Sequence, residues 1–480
     1  MPSAAEAEPE PPSRPVAAEE RSLRQQVLQN PGVRALIGAR FVASLGIATL
    51  SYGAMIFLAT EGASQIAISL IGSTRYLAAL LFGIGGGALV EAMSKRTAIV
   101  TAYALQAAAC FVVPAAWGTS IPSLVLLVLL VAMLGQIATP AIQATTALVS
   151  TAAQVAVVAA IISVANGIGA ALGTAFLAPV LITIADIQTV MYVAGVILAL
   201  GALRALKLPR EEESRRLREA VRGVEWRATI PTLQRTAEWL LANRKVGGMI
   251  LVGSMVLGLF DGLNTIMPVY VRDVLGSNPT NTVYILAPGG IGFVVGTALG
   301  PWLMDRRGER ALGVMALLVL SLGFILFGLI DLVAPLLAPF SPLRLLGLVG
   351  IEMSPQMQAA GLISIFTALG STGAAAAVQT YINRYVLLAR QPSTFGMQAV
   401  LDNALALFAV LAFGAIATVL GPRIVFVVAP PLIVAVVVWL IRVCFRVTDQ
   451  DPPRARAILH ALLDTSRPEP PAAEVTGGGR

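Results

Sequence analysis

Lys207-Leu-Pro-Arg-Glu-Glu-Glu-Ser-Arg-Arg-Leu-Arg218 opens the one long charged interruption in a chain otherwise built from apolar runs. The interruption continues to Lys245, and six apolar runs lie on each side of it. A helix of roughly 20 apolar residues crosses the hydrocarbon core of a bilayer, because a rise of about 1.5 Å per residue then covers about 30 Å. Twelve such runs, divided six and six, read as an all-α polytopic membrane protein whose transmembrane helices form two six-helix bundles.

Composition agrees with that reading. The 480 residues are 57% hydrophobic and 12% charged, with a mean hydropathy of +0.81, whereas soluble domains carry about 25% charged residues. The net charge of +7 sits beside apolar runs and is not interleaved with aromatics, so it reads as membrane orientation, and no nucleic-acid partner is expected. Cys110 and Cys444 lie in separate apolar runs and offer neither a disulfide framework nor a thiolate metal site. The one histidine, His460, follows the last run, which excludes a histidine-based catalytic or zinc centre inside the membrane. No Gly-x-x-x-x-Gly-Lys-Ser/Thr loop occurs, so ATP is not the direct energy source, and no cofactor is expected.

The expected spans are 35–60, 66–90, 97–117, 122–146, 153–183, 187–206, 247–271, 282–304, 311–334, 358–383, 395–420 and 424–445. Around them the chain divides into a disordered cytosolic extension over 1–30, a first bundle over 31–206, a cytosolic linker with an amphipathic helix over 207–245, a second bundle over 246–446 and a disordered cytosolic tail over 447–480. Of the 33 basic residues, only Arg272, Arg344 and Arg423 fall in outer loops when the amino terminus is placed inside, and Arg75 falls within a span. Basic loops stay in the cytoplasm, so both termini are expected there, with the chain integral to the plasma (inner) membrane. The outer connection 334–356 carries Pro335, Pro339, Pro342 and Pro355; it admits a short interfacial helix over 343–349 and reads as a structural connector.

Two short turns carry a repeated pattern. Gly87-Ala-Leu-Val-Glu91-Ala-Met-Ser-Lys95-Arg96 lies between the second and third spans, and Gly300-Pro-Trp-Leu-Met-Asp305-Arg306-Arg307-Gly308-Glu309-Arg310 between the eighth and ninth. Both resemble the cytoplasmic loop motif of the major facilitator superfamily, Gly-x-x-x-Asp-Arg-x-Gly-Arg-Arg/Lys, which that family carries once in each half. A tight turn needs Gly, an acid can cap a helix amino terminus, and basic residues hold the loop in the cytosol and form ion pairs that must break when the halves rock. The resemblance makes Glu91, Lys95, Arg96, Asp305, Arg306 and Arg310 gating candidates. It has departures: Glu91, Ala92 and Ser94 replace Asp, Arg and Gly in the first copy, while Pro301 takes the leading Gly position and Glu309 replaces a basic residue in the second. The segments 30–36, 80–89, 139–143 and 394–398 further resemble the branch that includes siderophore and macrolide exporters.

Ionisable groups at membrane depth cost roughly 2.5 to 3.5 kcal/mol each on insertion scales, so each needs a partner or a wet cavity. Asp261 lies near the middle of the seventh span, with Asn264, Thr265 and Ser254 on its face; Arg75 lies inside the second span; Asp402, followed by Asn403, lies about two turns into the eleventh. The superfamily plan lines the central cavity with spans one, four, seven and ten, and packs two on eleven and five on eight. It therefore implies that Asp261 faces the cavity and that Arg75 and Asp402 approach each other as a gating or inter-bundle pair. Asp261 reads either as a substrate- or proton-binding carboxylate or as a structural hydrogen-bonding group. Gln136, Thr139, Gln143 and Thr146 share one face of the fourth span, and Thr372, Gln379 and Asn383 form a weaker stripe in the tenth.

These features together point to a secondary active transporter working by alternating access, a monomer in the lipid bilayer that carries an amphipathic or apolar small organic molecule. The resemblance implies export by proton antiport; a facilitator or importer of a small metabolite, or a transport-inactive receptor or scaffold of the same fold, stays open. An enzyme is not expected, because no Asp/Glu cluster or histidine lies within the spans.

Overall fold

The computed structural model describes residues 29–151, 154–209, 226–350, 352–387 and 390–445; the side chains of 84–92 and 226–233, among others, are not described. The extension over 1–28, the tail from 446 and the stretch 210–225 of the linker lie outside the described residues, as does the side chain of Glu91.

Among the described residues, twelve helices are long and apolar enough to cross a membrane: Pro31–Thr60, Gln65–Gly83, Lys95–Trp117, Ile121–Val149, Val157–Ile184, Ile187–Ala205, Arg244–Asp273, Pro279–Gly300, Trp302–Gly328, Pro355–Tyr385, Ser393–Leu420 and Pro422–Arg442. An even number of crossings returns the chain to the side it left. The side holding Pro31 and the end of the twelfth span is called the terminal side below, and the opposite one the far side. The expected spans are recovered with shifted ends, the first starting at Pro31, where Asn30 caps it by accepting from the backbone N–H of Gly32 at 2.9 Å.

Each half builds its own core. Spans one to six bury Leu36, Leu50, Ile56, Tyr103, Leu127 and Leu198 among others, with spans one and six and spans two and four as close neighbours. Spans seven to twelve enclose an aromatic cluster of Tyr270, Phe324, Phe327 and Phe426, whose neighbouring rings meet edge-on or tilted with centroids 4.9–6.2 Å apart, and the Tyr270 hydroxyl donates to the Phe327 carbonyl at 2.7 Å. Between the halves span two packs on eleven, and the π-helical turn Gly173–Leu177 of span five meets span eight, the pairing the superfamily plan implies.

The linker helix Trp226–Ala242 packs against spans seven and eleven, burying Thr236 and Leu240, with the Arg390 guanidinium 5.3 Å from the Trp239 ring. It belongs to the second bundle. On the far side, span nine, about 30 Å long from the Gly308 kink to Gly328 at 1.5 Å per residue, gives way to a break at Leu329 before the short helix Ile330–Leu337. Leu332, Leu336 and Phe340 of this connection are exposed. The interfacial element over 343–349 is a 3₁₀ helix, Pro342–Val349.

Candidate functional site

The seam between the bundles is closed at one end. On the far side the Arg272 guanidinium, from the last turn of span seven, donates to the Ala59 carbonyl at 2.9 Å and to that of Ala63 at 3.4 Å, while Asp273 holds its other face at 2.6 Å. Through Ala59 it sits on one of the last carbonyls of span one, the negative end of that helix dipole, and through Ala63 on the connection that follows. Gln65 donates to the Thr265 carbonyl at 3.4 Å, and the backbone N–H of Ile66 donates to the Thr418 hydroxyl at 3.0 Å. Deeper in, Gly72 packs on Thr265 and Gly414 on Ser69, so closely that a Cβ at Gly414 would lie 2.0 Å from Ser69 Oγ and 2.6 Å from its Cβ. Toward the terminal side, spans four and ten find their neighbours within their own bundles, and Gln143 and Gln379 are exposed. We infer from this pattern of contacts and exposure a cleft that opens on the terminal side and ends blind near mid-span.

At the blind end Arg75 Nη2 meets Asp261 Oδ1 at 2.8 Å, joining the second span to the seventh across the seam. Arg75 also donates to the hydroxyl of Tyr76 and lies 4.4 Å from its ring, and Tyr76 is itself buried against Ala406 and Val410 of span eleven. The Arg75 side chain is 62% accessible and that of Asp261 26%. An accessible guanidinium that is ion-paired across the seam faces the cleft.

This corrects the expected pairing of Arg75 with Asp402. Counted from the far ends of their helices at 1.5 Å per residue, Arg75 lies about 15 Å deep, Asp261 about 18 Å and Asp402 about 27 Å, so the cation is level with Asp261. Asp402 is level with Ser254 instead and accepts from its hydroxyl, and Gln398 lies within hydrogen-bonding range. Asn264 and Asn403 each turn an amide N–H onto their own helix, to the carbonyls of Phe260 at 2.8 Å and Ala399 at 2.6 Å. On the fourth span, Gln136 and Thr139 are half-buried and Gln136 faces Gly83, Gln143 is exposed, and Thr146 is buried with its hydroxyl spent on the Ile142 carbonyl.

The two motif loops sit on the terminal side, and each makes contacts within its own half. Gly308, at φ 77°, is the one non-helical residue within Val283–Gly328 and kinks the chain near the start of span nine, in a conformation that only glycine takes without strain. Arg384 of span ten pairs with Glu309 and, at 3.6 Å, with Asp305; Arg306 lies 4.2 Å from the Trp302 ring, and Arg310 donates to the Tyr381 hydroxyl at 3.4 Å. Glu309, a departure from the motif, is therefore the carboxylate that Arg384 holds, only 6% accessible. In the first loop Ser94, standing where the motif has Gly, caps span three by accepting from the Thr97 N–H at 3.2 Å, and Lys95 and Arg96 line a cavity of about 190 Å³ with Thr145, Leu148, Leu208 and Pro209.

Sequence reasoning missed Arg272, Arg384 and Tyr76, together with Arg40, which lies within span one beside Tyr103 of span three. The adjacent Arg272-Asp273 and the single Arg at the end of span ten were visible signals; their partners were not.

The sequence matches the Major Facilitator Superfamily model over residues 36–361, about two thirds of the chain. Among solved structures, the nucleoside transporter NupG has 14% identity, a TM-score of 0.62, and coverage of 88% of this chain and 100% of that one. A POT family transporter in complex with 5-aminolevulinic acid has 12% identity, a TM-score of 0.61, and coverage of 87% and 96%. A bacterial homolog of the human lysosomal transporter Spinster, inward-facing and occupied, has 12% identity, a TM-score of 0.59, and coverage of 92% and 94%. No curated protein matches by sequence. At these identities the solved structures share the fold, while the sequence match carries the assignment: the chain belongs to the major facilitator superfamily.

Proposed function

We propose that the protein is a secondary active transporter that works by alternating access, exporting an amphipathic small organic molecule in exchange for protons, with the Arg75–Asp261 ion pair as its coupling element. The observation that carries this is the pair itself: one charge from each bundle, at mid-span, where the closed part of the seam gives way to the cleft. Rocking must remake this contact. A proton on Asp261 removes the attraction that holds the two bundles together there, and its loss restores it, so proton binding and bundle position are linked. With the terminal side cytoplasmic, as the distribution of basic residues favours, the cleft faces the cytoplasm of the plasma membrane and the far-side seal faces out. The protein acts as a monomer, and the resemblance of segments 30–36, 80–89, 139–143 and 394–398 to siderophore and macrolide exporters supports the outward direction.

The test is flux in proteoliposomes carrying an imposed pH gradient, with solutes first chosen by thermal-shift screening of antibiotics, siderophores, lipids and small metabolites. Asp261→Asn is expected to abolish pH-driven flux while the protein stays folded. Flux unchanged in that variant removes Asp261 from the mechanism. Uptake driven by the same gradient replaces export with import, and solute binding without flux makes the protein a receptor of the same fold.

A further inference from the structure

We infer that the transported solute carries a single anionic group, a carboxylate or an equivalent monoanion, that docks on Arg75 at the blind end of the cleft and competes there with Asp261. This rests on the transporter reading above.

The geometry of the guanidinium points to it. Asp261 and Tyr76 both meet the same nitrogen, Nη2, so among the described residues Nη1 and Nε are left for a further acceptor. A guanidinium carries five N–H donors in a planar fork that matches a carboxylate through two parallel bonds. Of the two paired charges, the cation is the one presented to the cleft, 62% accessible against 26% for the carboxylate. A charge about 15 Å deep in a membrane protein gains from any partner that satisfies it, because the alternative is an expensive, partly hydrated ion.

The other charge classes fit less well. A cationic solute at Asp261 would lie beside the Arg75 guanidinium, 2.8 Å from that carboxylate, and like charges at close range repel. A neutral solute leaves the spare donors to water. A second negative charge on the solute would meet Asp261 and Asp402, which lie about 9 Å apart in depth, so one anionic group is the number the site accommodates. Docking also has a mechanical consequence. Arg75–Asp261 is an ion pair deep in the closed seam, and an anion that draws the guanidinium toward the cleft weakens it, so occupancy of the site favours release of the far-side seal.

Three naphthalene probes of similar size and different charge test this: 2-naphthoate, 2-naphthylmethylammonium and 2-naphthylmethanol, titrated calorimetrically into the full-length purified protein. The wild type is expected to bind 2-naphthoate at least tenfold more tightly than the other two. Arg75→Gln loses this preference, Arg75→Lys keeps the charge without the fork and retains part of it, and Asp261→Asn tightens 2-naphthoate several-fold by removing its competitor. Preference for the ammonium probe, equal affinities, no binding of any probe, or an unchanged preference in Arg75→Gln overturns the inference. Should Arg75→Gln fail to elute as a folded monomer, Asp261→Asn decides alone: weaker or unchanged 2-naphthoate binding overturns it. Proteoliposome flux separates the two levels of the argument. Arg75-dependent 2-naphthoate binding without flux leaves the anion site standing and removes the transporter reading, whereas flux of the ammonium probe with none of 2-naphthoate keeps the transporter and removes the anion.

Discussion

The two ends of the seam use polar contacts for opposite purposes. On the far side they run between the bundles: Arg272 to the Ala59 and Ala63 carbonyls, Gln65 to the Thr265 carbonyl, and the Ile66 N–H to Thr418. On the terminal side they run inside a bundle: Asn30 donates to the Val149 carbonyl at 2.9 Å, Arg384 pairs with Glu309 and Asp305, and Arg390 lies over Trp239. Contacts of the first kind set which way the molecule is open. Those of the second kind keep each half rigid whichever way it is open.

Substitutions at the two ends should therefore differ in kind. The largest effect is expected from Gly414→Val. Its new Cβ would overlap the Ser69 Cβ, which is tied to the backbone and cannot turn away, so the far side cannot close. Spin labels at Ser64 and Ser277 should then show the longer inter-bundle distance as the dominant population; an unchanged distance distribution would place the seal elsewhere. Arg272→Gln removes the bonds to the end of span one and should shift the same distribution part of the way, raising the far-side-open fraction several-fold.

Arg384→Ala should leave that distribution alone. It strands the buried Glu309 carboxylate, and since Arg384 is itself 51% accessible the cost is about 2 kcal/mol, below the roughly 3 to 5 kcal/mol for breaking a fully buried pair. A lower Tm with unaltered distances is the expected outcome; altered distances would make this loop part of the gate. The smallest effect belongs to Asp186 on the far side, which caps span six by accepting from the Thr189 N–H at 2.9 Å and hydroxyl at 2.5 Å. Those bonds hold its carboxyl below the usual range, so the stability it adds is present above the ordinary aspartate pKa and is lost as pH falls through the lowered one. Asp186→Ala should lower Tm slightly at neutral pH and not at all in strong acid.

Much of the fold was legible because hydropathy and helix length are properties of each segment alone. Twelve runs and a charged break suffice to give two bundles, and the motif loops place equivalent turns in both. The charged residues at depth were legible as residue types, since Arg75, Asp261 and Asp402 stand alone in apolar surroundings. Their pairing was not, because it depends on how helices that run in opposite directions are staggered against one another. Residues per turn fix the face a side chain occupies, but the shared depth of Arg75 and Asp261 emerges only once both helices are anchored in the same slab. Glu309 is the reverse case: its motif position alone marks it as a defect, and only span ten, about 75 residues on, reveals the cation it serves.

The docking of Trp226–Ala242 on the second bundle changes what the connection between the halves can do. About 20 residues separate Ala205 from Trp226, and at roughly 3.3 Å each their contour reaches about 65 Å. That is longer than the bilayer is thick, so the number of residues in the connection does not by itself limit how far the bundles swing. The stroke is then set by where the bundles' own surfaces collide, and shortening the connection by several residues should leave it unchanged.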